Sequence, residues 1–281
     1  MKRKYLFLSI IFLFVLPGYV FAKPVKIQIV PRKIFPGDAF LIKIKNLRNK
    51  NTPVALINKK EFAFVEFGKG CYIAIGAIDI NARPGKYKIK IKSGNSSFKS
   101  NLLVKRKIFP SVSLNLPDEK VFPSDDDLKR IQDENIKMNE VSGLITEKKW
   151  EGNFIFPLEN EISTLFGVKR IMNEQWTSIH KGLDFKGKEG EEVKASNNGK
   201  VVLTEELFYG GNTIVIDHGL GIYSIYMHLS RIKVKSGDEI KKGEIIGNVG
   251  STGRATGPHL HFGIKLNGIN VNPDSLIKLN I

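Results

Sequence analysis

The chain of 281 residues has a single cysteine, which cannot close an intramolecular disulfide and so excludes a disulfide framework. It has only one long apolar run, Tyr5 to Ala22 at the extreme N-terminus, which excludes a protein with several membrane spans. Acidic residues are scarce, 28 Asp plus Glu against 44 Lys plus Arg, giving a formal charge of +16. With 42% hydrophobic and 26% charged residues the composition is globular, neither disordered nor fibrous. A basic balance raises nucleic acid as a partner, yet no nucleic-acid module is recognisable and none is expected.

What is present begins with that N-terminal run. Met1-Lys-Arg-Lys supplies a basic start, Pro17-Gly18 breaks the apolar stretch, and Val20-Phe21-Ala22 ends it on a small residue. Residues 1–22 therefore read as a secretory signal, and the chain as exported, periplasmic or secreted. Outside the cytoplasm the abundant polyanions are lipid head groups and cell-wall polymers, so the positive charge suits peripheral association with membrane or wall. The sequence carries no signal of oligomeric state.

Residues 23–105 alternate apolar and polar positions with a period of two: Val25/Ile27/Ile29, Phe40/Ile42/Ile44 and Tyr87/Ile89/Ile91. Such segments make half-buried strands, and the turn signals Pro36-Gly37, Pro84-Gly85 and Ser93-Gly94-Asn95 separate them. The expectation is an N-terminal immunoglobulin-like β-sandwich. Cys71, within an apolar run, is expected to be a buried small hydrophobe.

Residues 106–150 read as a linker with one helix of about 14 residues. Ser124 and Asp127 form a capping-box pattern, and Leu128, Ile131 and Met138 mark the apolar face. Residues 151–281 return to β texture, with strands expected at Val201–Leu203, Thr213–Ile216, Ile222–Met227, Ile245–Gly247 and Leu260–Ile264. The fold class is thus mainly all-β, ending in an antiparallel-sheet domain.

All five histidines fall in this last segment, at 180, 218, 228, 259 and 261. His259 and His261, two apart in a strand, share one face; His180 and Asp184, four apart, can converge too. Two imidazoles and a carboxylate from separate segments satisfy the rule of three ligands and one open position for catalytic zinc, and imidazoles fit calcium or magnesium less well. The spacing leaves open which of His259 and His261 would bind metal. An unligated imidazole beside the ion, with His228 in Tyr226-Met-His-Leu-Ser a candidate, could move the proton. Gly250 to Gly257 lacks the Gly-Lys-Ser/Thr ending of a phosphate loop and opens no helix, so it reads as a loop positioning His259.

At these residues the chain resembles the lysostaphin-type, or LytM-like, zinc peptidases. The resemblance runs from about Phe154 to Pro273 and rests on Phe166-Gly, His180-Lys-Gly-Leu-Asp-Phe, Gly210-Gly-Asn-Thr, Ile216-Asp-His-Gly, Tyr226-Met-His-Leu-Ser and Gly250-Ser-Thr-Gly-Arg-Ala-Thr-Gly-Pro-His-Leu-His261. It implies an exported zinc endopeptidase that cuts the stems or cross-links of peptidoglycan. It also implies His180, Asp184 and His261 as zinc ligands, His228 and His259 as the catalytic pair, and a supporting role for His218. The stretch from Lys169 to Ser178 departs from the Arg-rich, Asn-Gly pattern usual there.

Two rivals stand beside this reading. Some relatives have lost ligands and act as non-catalytic activators of cell-wall hydrolases, whereas here all five positions are filled. Gly237-Asp-Glu-Ile-Lys-Lys-Gly-Glu resembles a lipoyl or biotinyl hairpin, but those carriers work inside the cell. Residues 23–150, which contain no histidine, are expected to position or restrict the C-terminal domain without supplying a catalytic group. A chain starting near Lys149 is accordingly expected to remain functional.

Overall fold

The computed structural model describes residues 23–48, 51–114 and 121–281. The expected signal segment, residues 1–22, lies outside them. The chain is mostly β, with two helices among the described residues.

The period-two segments of the N-terminal part form two sheets. One orders the strands Lys26–Val30, Ala39–Lys45, Tyr72–Ala77 and Val65–Glu66; the other orders Lys33–Ile34, Ser96–Val104, Gly85–Ser93, Val54–Ile57 and Lys60–Ala63. Gly85–Ser93 shows the expected alternation, with Ile89 and Ile91 buried between exposed lysines. Ala39–Lys45 departs from it, because Leu41 is buried as deeply as Phe40 and Ile42. The C-terminal end of the chain covers its second face: Ser275 Oγ accepts from Ala39 N–H at 2.8 Å, and Lys43 Nζ donates to the Asn280 carbonyl at 3.1 Å. Lys43 is thus engaged within the molecule. Cys71 sits in the turn before Tyr72–Ala77 and is half-buried, less enclosed than expected.

The helix spans Asp125–Val141, longer than expected, with Ser124 as N-cap accepting from Asp127 N–H at 3.2 Å and three aspartates in its first turn. Its inward face holds Ile131, Met138 and Val141, whereas Leu128, expected there, is 48% exposed. The linker also contributes a strand that the sequence reading missed. Ser111–Leu114 pairs in parallel with Lys169–Met172, which pairs in turn with Trp176–Ile179.

The largest sheet orders Ile162–Thr164, Gly182–Lys186, His259–Leu266, Ile222–Ile232, Gly211–Gly219, Gly199–Leu207 and Glu239–Ile240. All five strands expected here lie within observed ones. Opposed residues in an antiparallel ladder share a face. Val215 pairs with Ile225, Ile225 with Gly263, Met227 with His261, and His261 with Asp184, so these side chains line one face. Met138 and Val141 of the helix pack on that same face, against Leu203, Val215, Tyr223 and Ile225. The other face, with Tyr226, Phe262 and Leu260, joins a core continuous with that of the N-terminal sheets. Phe166 contributes to this continuity: a Cβ at Gly37, whose φ is +87°, would stand 2.3 Å from its ring.

Candidate metal centre

Asp184 and His261 stand opposite each other on adjacent central strands, and His180 lies just before the first of them. His180 is held at both ends of its peptide unit, its N–H donating to the Val168 carbonyl and its carbonyl accepting from Gly167. Its Nδ1 lies 2.9 Å from the Leu165 carbonyl, which only a protonated nitrogen can satisfy, so Nε2 carries the free lone pair. That Nε2 is 2.8 Å from Asp184 Oδ1 and 2.9 Å from His261 Nδ1, while His261 Nδ1 is 2.8 Å from the same Oδ1. The three donor atoms lie within 4.8 Å of one another and form a group able to hold a metal ion.

Space for this arrangement comes from a glycine. A Cβ on Gly182 would stand 2.7 Å from His261 Nε2 and 2.5 Å from the Phe262 carbonyl, so the ring folds over a position that tolerates no side chain. Asp184 is buried, and burial acts to raise its pKa. Hydrogen bonds to His180 and His261 and their electrostatic attraction overcome this, holding the carboxyl well below the usual range. Its other oxygen, Oδ2, accepts from Arg170 Nη2 at 2.5 Å. Arg170 is a site residue that the sequence reading placed only in a stretch departing from its family pattern. Nothing local to that stretch announces the contact; the strand carrying Arg170 pairs in parallel with Ser111–Leu114, where Val112 stands opposite Arg170.

His228 and His259 complete the cluster. Their ring centroids are 4.6 Å apart, and His228 is 6.2 Å from His261. His228 lies in a β-bulge: Asn212 pairs with Leu229 and Ile214 with Tyr226, so Thr213 faces both Met227 and His228. Its φ of +65° is left-handed, a conformation seldom adopted by a residue with a side chain and concentrated at functional sites. The Thr252 carbonyl lies 2.9 Å from its Nδ1 and the Gly257 carbonyl 2.8 Å from His259 Nδ1, leaving Nε2 of each ring as the nitrogen available for chemistry. Burial, and then the neighbouring His261 and His259, push the His228 pKa down to about 3, favouring the neutral ring. Burial likewise lowers the pKa of His261, opposed by Asp184.

His218 is elsewhere. Its rings' partners are the Asn198 carbonyl and Ser224 Oγ, each at 2.7 Å, and Phe154 packs edge-on at 5.2 Å. Ser224 and Tyr226 alternate with Ile225 and Met227, so His218 belongs to the sheet face opposite His261. Burial pushes its pKa down to about 4. Of the five histidines, four converge and His218 packs apart from them.

Comparison with known proteins agrees with this geometry. Residues 178–273 match the sequence pattern of Peptidase family M23. Peptidoglycan DD-endopeptidase ShyA of Vibrio cholerae is 45% identical over 129 residues, 45% of this chain and 29% of the relative. DD-carboxypeptidase/endopeptidase Mpg of Neisseria meningitidis serogroup B is 35% identical over 134 residues, 48% of this chain and 31% of the relative. The chain thus spans about a third of the length of these curated relatives. A crystal structure of a putative peptidase M23 from Pseudomonas aeruginosa superposes with a TM-score of 0.68 at 28% identity, covering 86% of this chain and 94% of that one.

Proposed function

Because the chain belongs to peptidase family M23, we infer that it is a zinc-dependent endopeptidase hydrolysing peptide bonds in the stems or cross-links of peptidoglycan. The observation that carries this reading is the convergence of two imidazoles and a carboxylate on one buried point, with two further imidazoles beside it. The donor set fits zinc: nitrogen and carboxylate ligands, no thiolate, and three protein donors rather than the four of a structural site. His180, Asp184 and His261 would hold the ion, through Nε2, a carboxylate oxygen and Nδ1. When bound, zinc supplies a Lewis acid that polarises a peptide carbonyl and acidifies a water molecule.

The chain's own residues do the rest. Arg170 fixes the Asp184 carboxylate through Oδ2, leaving Oδ1 turned to the two imidazoles. His228 and His259, pinned at Nδ1 by backbone carbonyls, present Nε2 for proton transfer or for a hydrogen bond to the oxyanion that develops. The rival role of a non-catalytic activator finds no vacant position among these five. We read residues 23–105 as an immunoglobulin-like module and residues 1–22 as an export signal, placing the enzyme in the periplasm or outside the cell, where its substrate is. Incubation of the protein with peptidoglycan, with and without a chelator, tests the reading by mass analysis of the fragments. New peptide ends that appear only without chelator are expected; intact peptidoglycan in both samples overturns it.

A further inference from the structure

The loop between Val249 and His259 carries one side chain that the chemistry above leaves unused. Arg254 lays its guanidinium on the Tyr209 ring, Cζ 3.9 Å from the centroid, and its backbone N–H donates to the Tyr209 carbonyl at 3.0 Å. Among the described residues no hydrogen bond or ion pair reaches that guanidinium, and Nη1 is buried without a partner. Leaving a buried donor unmade is costly, and more so when it is charged. Buried guanidinium groups are ordinarily matched by an anion.

The surroundings supply no counter-charge. The nearby guanidinium of Arg170 repels that of Arg254 and is already committed to Asp184. The Arg254 loop is also fixed in place: a Cβ on Gly253 would stand 2.3 Å from Gly211 N and 2.7 Å from the Tyr209 carbonyl, so the two loops touch backbone to backbone. The same loop offers the Thr252 carbonyl to His228 and leads into His259, so Arg254 lies in the segment that positions both imidazoles. A planar fork of donors, stacked on an aromatic ring and held by rigid loops, matches a carboxylate.

Resting on the peptidase reading, we propose that Arg254 is a specificity-determining residue that takes a free carboxylate carried by the peptide substrate beside the scissile amide.

The test uses two synthetic cross-linked peptides, identical except that this carboxylate is free in one and a carboxamide in the other. Their affinities for the full chain are measured by calorimetry and their hydrolysis is followed separately. The expected result is a preference of about tenfold or more for the carboxylate peptide in the wild type. Arg254→Gln should bring the two affinities together, and Arg254→Lys, keeping charge without the fork, should fall between. Equal affinities in the wild type, or a preference unchanged in Arg254→Gln with its metal content intact, overturn the proposal. Should Arg254→Gln fail to fold, Arg254→Lys decides: an undiminished preference counts against the fork. Wild-type protein that binds with the expected preference yet cleaves neither peptide supports the Arg254 site and overturns the peptidase reading alone.

Discussion

Asp184 and His261 are direct register partners on antiparallel strands, with Oδ1 and Nδ1 2.8 Å apart. Two of the three donors are therefore fixed by sheet pairing, and the third, His180, by backbone hydrogen bonds to Gly167 and Val168. Each of His180→Ala, Asp184→Ala and His261→Ala should reduce bound zinc from about one per chain to near zero, since two donors hold the ion poorly. Metal analysis after dialysis checks this, and full occupancy in any of the three removes that residue from the ligand set.

His228→Ala and His259→Ala should behave differently, keeping both metal and fold while slowing turnover by about 10²-fold or more, the usual contribution of proton transfer or oxyanion stabilisation. Rates on purified peptidoglycan, measured beside zinc content, separate the two classes. Wild-type turnover in either variant would end its catalytic assignment.

Much of this arrangement was legible in the sequence, and the exceptions have physical causes. The spacing of His259 and His261 places them on one face because a strand has period two. The same rule misplaces His228: counted from Tyr226 it falls on the core face, and only the bulge opposite Thr213 turns it to His259. A bulge leaves no mark in hydrophobic alternation. Arg170 escaped for another reason, since it and Asp184 lie on different strands and tertiary packing, not local spacing, brings them together. Leu41 broke the alternation expected of Ala39–Lys45 because the chain's C-terminal end covers a face that a free-standing module would expose.

Gly182→Ala should act on the metal without replacing a ligand. The added methyl would meet the His261 ring and the Phe262 carbonyl, both inside ordinary contact distance. The carbonyl belongs to the ladder and cannot withdraw, so the ring must. Zinc affinity is expected to fall at least tenfold, roughly the effect of disturbing the support of a metal ligand. Zinc titration against a competing chelator measures it, and an unchanged affinity would show that the ring has room to move.

His218 predicts a pH dependence of stability. Its folded pKa is about 4 against the ordinary 6.5, so both folded and unfolded chains hold it neutral above pH 6.5. As pH falls from 6.5 towards 4 the unfolded chain takes up the proton and the folded chain does not. Stability is thus present at neutral pH and lost across that window, on the order of 3 kcal/mol in all. Denaturant unfolding of wild type and His218→Gln at several pH values isolates this share, the variant being expected to show the shallower slope between pH 6.5 and 4. Parallel slopes would contradict a buried neutral imidazole.

The final prediction concerns a chain starting near Lys149, which the sequence reading expects to fold and function alone. The structure argues for the opposite outcome. Met138 and Val141 cover Leu203, Val215, Tyr223 and Ile225 on the same sheet face as His261. Tyr223 Oη donates to the Leu144 carbonyl at 2.8 Å, and Thr146 Oγ1 donates to Asp217 Oδ2 at 2.7 Å. Ser111–Leu114 gives the Arg170 strand its parallel partner. All of these partners lie before Lys149, so truncation uncovers an apolar patch and leaves one edge of the strand carrying Arg170 unpaired. The expected loss is about 3 kcal/mol or more, counting two side chains at roughly 1.5 kcal/mol each before the hydrogen bonds. The double substitution Met138→Ala, Val141→Ala in the full chain should show part of that loss while keeping zinc, because the cluster they pack against, Leu203, Val215, Tyr223 and Ile225, contains no ligand. Unfolding midpoints and zinc content of the three proteins decide the matter: a truncated chain as stable and as well loaded as the full one would show that residues 106–148 are dispensable to the site.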